Sequence, residues 1–232
     1  MKKTLIIIPA YNEEKNIGAV LDGIRALQPD IDVVVVNDGS GDQTAMVSES
    51  HGAKVLNHTF NLGYGGALQS GFRFALMKGY DYVVTMDGDG QHDPACIKNL
   101  SEAHTATGAN VVIGTRFLSE GYRMGLIRKA GVAFFRAITR LYTGIKFTDP
   151  TSGFQMMDKT VFSYLAKGDN YPMDYPDANT IMLLHKKNFK IVETQVHMYH
   201  RLEGTSMHSG LRPIGYVIKM VLAIIMVALR RD

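Results

Sequence analysis

Asp87, Asp89 and Gln91, hinged by Gly88 and Gly90, directly follow the hydrophobic run at residues 82–86. Oxygen donors that leave a strand end on a tight turn suit a hard divalent cation, Mn²⁺ or Mg²⁺, that also binds diphosphate oxygens. Such an ion acts as a Lewis acid toward a diphosphate that gains negative charge as a sugar bond breaks. Alone, an Asp-x-Asp after a strand is more often just a turn. Two further polar strand ends change the balance. Pro9-Ala10-Tyr11-Asn12-Glu13-Glu14 closes one apolar run, and Asn37-Asp38-Gly39-Ser40 closes another. Both can set backbone and carboxylate groups around a base and a ribose. Singly, Asn12 reads equally well as a helix N-cap and Asp38 as a turn residue. Three polar strand ends in one sheet favour a common site.

Elements that could position these groups alternate along the chain. Residues 4–8 form a short β-branched run, and residues 13–27 carry Ile17, Val20, Leu21, Ile24 and Leu27 at helical spacing. Residues 32–36 hold Val33, Val34, Val35 and Val36 in succession, which suits a parallel strand buried on both faces. A helix is predicted at 44–51, strands at 53–57, 82–86 and 111–114, and helices at 66–77 and 94–105. The alternation predicts an α/β fold with a mostly parallel sheet, whose ligands sit beyond the carboxyl ends of the strands. Gly63, Gly65, Gly66 and residues 118–129 read as the most loop-like interior stretches.

At 232 residues and 46% hydrophobic, the chain suffices for one sizeable core. A charged fraction of 20% and a net charge of +3 are too balanced for a protein that tracks nucleic acid. Basic residues bunch late, with Arg201, Arg212, Lys219, Arg230 and Arg231 against Glu203 and Asp232, which points to an anionic surface or a phosphate. Cys96, the sole cysteine, excludes an internal disulfide and a thiolate metal cluster and fits a reducing setting. The opening apolar run is too short for a signal peptide and reads as a first strand. None of the histidines, His92 included, shows metal-ligand spacing, and they read as surface or supporting groups.

In chain order, PAYNEE, VNDGSGDQT, NLGYGGA, MDGDGQHDP, GTRF, DPTSGFQ and HRLEGTS resemble family 2 glycosyltransferases of the polyprenyl-phosphate sugar synthase type, such as dolichol-phosphate mannose synthase. The resemblance covers roughly residues 4–206. It implies a GT-A catalytic domain at 1–208, with Pro9, Ala10, Tyr11, Glu13, Asp38 and Gly66 around the nucleoside. Asp87, Asp89 and Gln91 would surround the metal and the diphosphate, with Gly88 in the same donor-binding turn. Where the family often has two acidic residues before Gly-Ser, this chain has Asn37-Asp38, which leaves Asp38 a base contact and Asn37 without a role. Arg116 and Arg128 match positions that meet an acceptor phosphate, for which a guanidinium fork is well suited. Arg201, followed by Gly204 and Ser206, resembles a late loop that folds over the donor diphosphate. Asp149 and Asp177 are the candidate carboxylates beside the reaction centre. A hydroxyl acceptor would need one as a base, whereas a phosphate acceptor is already ionised.

Residues 213–229 are apolar but for Gly215, Tyr216 and Lys219. As a helix they would be about 25 Å long, at the lower limit for spanning a bilayer core. Lys219, Arg230 and Arg231 suit a helix lying in the interface, so 209–232 is expected to associate with the membrane; a span and a helix packed on the core or on a second subunit remain open. The expectation is inverting transfer of a hexose or N-acetylhexosamine from a nucleotide sugar, UDP-linked rather than GDP-linked, to a polyprenyl phosphate at the cytoplasmic face of the membrane. A small membrane protein or a second copy could assist docking. The rival readings are transfer to a saccharide hydroxyl, with Asp177 or Asp149 as base, and an inert nucleotide-sugar-binding scaffold.

Overall fold

The structure, a computed structural model, describes residues 3–118, 126–168, 170–172, 176–199 and 221–227. Among these residues the strands are β1 (Thr4–Ala10), β2 (Asp32–Asn37), β3 (Lys54–Asn57), β4 (Tyr82–Thr85), β5 (Val111–Thr115), β6 (Gln155–Asp158) and β7 (Ile191–Gln195). They form one sheet in the order β3-β2-β1-β4-β6-β5-β7. All neighbours pair in parallel except β6, which runs antiparallel to β4 and β5. The mostly parallel α/β sheet expected from the alternation is present.

Side-chain alternation sorts the strands' apolar residues onto two covered faces. Leu5, Ile7, Val34 and Val36 pack with α3 (Tyr64–Met77), α6 (Lys159–Leu165) and α7 (Ala178–Lys186). Ile6, Ile8 and Val35 pack on the other face with α1 (Ile17–Leu27) and α4 (Ile97–Thr107), while α2 (Thr44–Ser50) lies beside α1. Each fully buried aliphatic side chain contributes ~1.5–3 kcal/mol. Pro9 is tolerated in the central strand for a geometric reason. Ile7 offers its carbonyl to the Met86 N–H and Ala10 offers its own to the Asp38 N–H. Residue 9 therefore faces β4, whose registered pairing has already ended at Ile7–Thr85, and the N–H that proline lacks is not needed.

Several boundaries differ from the sequence pattern. The first helix begins at Ile17 rather than residue 13; residues 13–16 make a turn in which the Glu13 carbonyl accepts the Asn16 and Ile17 N–H groups, and the Glu13 and Glu14 N–H groups donate to Thr44 Oγ1 and an Asp42 carboxylate oxygen. Gly65 and Gly66 are not loop residues but lie in the first turn of α3; Gly63, at φ 87°, keeps the loop conformation. The last four residues of the loop-like stretch 118–129 are helical, opening α5 (Leu126–Thr143). Val132, Phe135 and Thr139 form the buried stripe of α5. β6, β7, α6 and α7 were not among the elements the pattern picked out.

A helical segment at 221–227 sets Ile224 and Val227 in a cluster with Phe135, Ala178, Met182 and Leu183, and leaves Leu222, Ile225 and Met226 exposed. No helix among the described residues is long and apolar enough to cross a membrane. Phe72 is fully buried and meets the Tyr171 ring edge-on at 5.2 Å. Phe72→Ala should lower stability by about 3–5 kcal/mol, read as a reduced denaturant midpoint with an unchanged slope.

Candidate active site

The carboxyl ends of β1, β2, β4, β5 and β7 lie at one edge of the sheet, and antiparallel β6 brings the loop before it, residues 149–154, to that same edge. The loops after β1 and β2 are stitched together reciprocally. Asn12 N–H donates to Ser40 Oγ at 3.0 Å, Gly41 N–H to Asn12 Oδ1 at 2.9 Å, and Gln43 N–H to a Glu14 carboxylate oxygen at 3.0 Å. Asn12 takes a positive φ of 56° to make this turn, a conformation asparagine tolerates better than most residues. Ala10 is buried beneath the stitch and the Tyr11 ring is half exposed above it. Glu13 accepts from the Asn16 amide at 2.7 Å.

Asp38 is buried, and its carboxylate faces the loop after β3. Oδ1 accepts from the Leu62 N–H at 2.8 Å and pairs with His58 Nδ1 at 2.7 Å, while Oδ2 accepts from the Gly63 N–H at 2.9 Å. His58 Nε2 reaches Ser70 Oγ on α3 at 2.9 Å. Gly39, at φ 70°, lets this loop close in: a Cβ there would stand 2.7 Å from the Phe60 carbonyl carbon. Asn37 binds Asn57 side chain to side chain at 2.8 Å and accepts the Ser40 N–H, so it joins β2 to β3. Gly66 is buried in the first turn of α3, directly after that loop.

The turn after β4 is held from several sides. Tyr64 Oη donates to Asp87 Oδ1 at 2.8 Å. His92 Nδ1 accepts the Asp87 N–H at 3.0 Å, which fixes the neutral ring with its proton on Nε2, 3.6 Å from Asp87 Oδ2. The imidazole is buried and stacks on Phe154 at 4.8 Å. Burial lowers its pKa, against the opposing pull of Asp87. Exclusion of water, and then the Asp87 charge, push the Tyr64 phenol well up. Asp89 is buried, with Oδ1 accepting the Gln91 N–H at 3.0 Å. Residues 197–199 are fastened beside this turn: His92 bridges Met198, the Tyr199 N–H donates to the Gln91 carbonyl at 2.8 Å, and Tyr199 Oη donates to Asp93 at 3.1 Å.

Arg116 and Asp149 lie on each other. The Arg116 Nε donates to Asp149 Oδ2 at 2.6 Å and an Nη to Oδ1 at 3.1 Å, with Asp149 wholly buried. Thr151 Oγ1 also donates to Asp149 Oδ1 at 3.2 Å. The backbone beneath them hangs from Glu193 on β7, whose carboxylate accepts the Thr148 N–H and the Asp149 N–H, both at 2.7 Å. Arg136 donates to the Thr148 carbonyl at 2.6 Å and lies 4.4 Å above the Phe117 ring. Asp177 precedes α7, and its charge adds to the burial that raises the phenols of Tyr64 and Tyr171. Arg128 falls in the first turn of α5, and its side chain is outside the described residues. Arg201, Gly204 and Ser206 also lie outside them.

The sequence profile of glycosyl transferase family 2 matches residues 5–165, more than half of the chain. The chain belongs to glycosyl transferase family 2. It is 28% identical over 227 residues to the polyprenol monophosphomannose synthase of Mycolicibacterium smegmatis, covering 90% of this chain and 82% of that protein. It is 30% identical over 206 residues to the UDP-N-acetylglucosamine–dolichyl-phosphate N-acetylglucosaminyltransferase of Methanococcus voltae, covering 81% of each. Glucosyl-3-phosphoglycerate synthase from Mycobacterium tuberculosis, solved with Mn²⁺, UDP-glucose and phosphoglyceric acid, superimposes with a TM-score of 0.72 at 21% identity over 100% of this chain and 81% of that one. That likeness shows a shared fold, the GT-A-like α/β architecture with its mostly parallel sheet.

For a family 2 transferase the donor set on the turn is chemically apt for Mn²⁺ or Mg²⁺, since Asp87, Asp89 and Gln91 all offer oxygen. Among the described residues no three His, Cys, Asp or Glu side chains gather closely enough to hold a metal. Such a turn fits an ion that completes its shell with diphosphate oxygens and water. Gly153 stands in front of the carboxylate, where a Cβ would be in ordinary van der Waals contact with the two Asp87 oxygens, at 3.4 and 3.7 Å. Sequence reasoning passed over Tyr64, Glu193 and Arg136. Tyr64 stood in a recognised motif, but nothing in the sequence told which groups its hydroxyl would meet.

Two outcomes follow for this transferase. His92 titrates lower folded than unfolded, so the unfolded chain binds the extra proton first. Stability should therefore be intact above about pH 6.5 and decline below it, and His92→Asn, whose Oδ1 can still accept the Asp87 N–H, should flatten that slope in pH-dependent denaturation. Arg116→Met should cost about 3–5 kcal/mol by stranding Asp149, and Arg116→Met/Asp149→Leu should recover much of the loss.

Proposed function

We propose that the chain transfers a hexose or N-acetylhexosamine, with inversion, from a nucleotide diphosphate sugar to a polyprenyl phosphate. A UDP-sugar is the favoured donor and GDP-mannose the second. The observation that carries the reading is the state of Asp149. This carboxylate beside the metal turn has both oxygens committed to Arg116, so it is not poised to take a proton from a hydroxyl acceptor. An ionised phosphate needs no such base. The relatives named for polyprenol and dolichyl-phosphate acceptors support the same choice.

In this reading the stitched loops after β1 and β2 seat the nucleoside against Pro9, Ala10, Tyr11 and Glu13. Asp38 acts beneath them by folding the loop that carries Gly63, and Gly66 follows at the start of α3. Asp87 and Asp89, with Gln91, would hold Mn²⁺ or Mg²⁺, which supplies Lewis-acid stabilisation to the departing diphosphate. An acceptor phosphate oxygen attacks the anomeric carbon from the face opposite the diphosphate. The new C–O bond forms as the bond to the diphosphate oxygen breaks, and the nucleoside diphosphate leaves with the electron pair. Arg116, held flat by Asp149, and Arg128 align the acceptor phosphate, and Arg201 and Ser206 act on the diphosphate side.

A lipid acceptor calls for contact with the cytoplasmic face of a membrane, and the exposed side chains offer it. Phe134, Leu141, Leu222, Ile225 and Met226 are apolar and exposed, and residues 126–146 contain five basic side chains and no acidic one.

The test is incubation of the purified chain with Mn²⁺, undecaprenyl phosphate and labelled UDP-glucose, UDP-N-acetylglucosamine or GDP-mannose. A lipid-linked sugar from at least one donor is expected, and its absence with all of them sinks the acceptor assignment. Asp89→Ala should lower turnover about a hundredfold or more. Asp177→Asn should change it only a few-fold; a loss on the hundredfold scale would instead mark Asp177 as a base for a hydroxyl acceptor.

A further inference from the structure

Asp87 is approached on each oxygen by a different group. Tyr64 Oη donates to Oδ1 at 2.8 Å, and the Nε2 of His92 stands 3.6 Å from Oδ2. The Tyr64 ring packs against the buried cluster under α3, so its hydroxyl is carried on a fixed support. Gly153 makes room for that hydroxyl, since a Cβ there would lie 2.6 Å from it. Gly153 is itself pinned, its carbonyl accepting the Thr85 hydroxyl at 2.6 Å. The Asp87 side chain is nevertheless about a third exposed, at 32%, and reachable by an ion.

We infer that Tyr64 sets which cation this turn accepts: by donating to Oδ1 it weakens that oxygen as a ligand and leaves Oδ2 the stronger donor, favouring a small octahedral ion and disfavouring Ca²⁺. The inference rests on the metal reading of Asp87 given above. Mg²⁺ takes one oxygen per carboxylate in a near-ideal octahedron at about 2.0–2.1 Å, whereas Ca²⁺ gathers 6–8 oxygens at about 2.3–2.6 Å and often takes both from one carboxylate. Bidentate chelation by Asp87 would make Oδ1 serve the ion and the Tyr64 hydroxyl together, weakening a hydrogen bond to a charged acceptor, which is the strong kind. Tyr64 is thus a positioning residue that acts through Asp87 and need not touch the ion.

Mn²⁺ binding to the full chain can be followed by the paramagnetic resonance of the free ion, with UDP or GDP present and Ca²⁺ titrated in as competitor. Tyr64→Phe keeps the ring and should shift the preference between Ca²⁺ and Mn²⁺ about tenfold toward Ca²⁺. Gly153→Ala should give a similar shift by pushing the hydroxyl away while Tyr64 stays in place. The double variant should shift no further than Tyr64→Phe alone, because the group that Ala would displace is gone. If the wild-type chain binds no Mn²⁺, the metal reading fails and this inference with it. If it binds Mn²⁺ and Tyr64→Phe leaves the preference unchanged, or the two substitutions shift it additively, this inference alone is overturned.

Discussion

Desolvating a guanidinium and a carboxylate together costs several kcal/mol per ion, and the cost is offset only when geometry is good and the remaining hydrogen-bonding capacity is used. Arg116 and Asp149 meet that condition through two bonds to each other and a third from Thr151. Their loop hangs by its backbone from Glu193 on β7, and Arg136 holds the Thr148 carbonyl. The pair therefore ties the end of β5 to the loop that leads into β6. That loop carries Gly153 up against Tyr64 and Asp87. The open face of the turn after β4 is in this sense set by an ion pair.

The same device recurs along the carboxyl edge. Asp38 folds the loop after β3 through two backbone N–H groups, and Asp42 and Glu14 fasten the loops after β1 and β2 to each other. These carboxylates are spent on backbone amides that would otherwise need water. Loops held this way are pre-ordered before a ligand arrives, so less conformational entropy is lost on binding.

Much of the amino-terminal half is legible in the sequence because its strands are consecutive apolar runs and its helices keep strict spacing. β1, β2 and β4 need no tertiary information beyond that. The second half is harder for physical reasons. β6 is the four-residue run Gln155–Asp158, too short and too rich in methionine to look β-branched, and its antiparallel direction has no local signal. The first residues of α5, Leu126-Ile127-Arg128-Lys129, end a stretch that reads as a loop. At the site, residue types and strand-end positions point correctly to a shared edge, yet partnerships across it are invisible. Arg116 and Asp149 are 33 positions apart, and only the fold shows that each occupies the other.

The fastening of residues 197–199 to the turn after β4 bears on how such enzymes can be recombined. His92 bridges Met198, the Gln91 carbonyl takes the Tyr199 N–H, and Asp93 takes its hydroxyl. Two of these three ties run backbone to backbone, and only the Tyr199–Asp93 bond depends on which side chains are present. A chimera that borrows the late segment from another family member keeps the backbone ties and loses the hydroxyl–carboxylate bond unless it brings a tyrosine opposite Asp93. The two stretches are about a hundred positions apart in the chain, and Asp93 and Tyr199 are the pair that such a swap has to keep together.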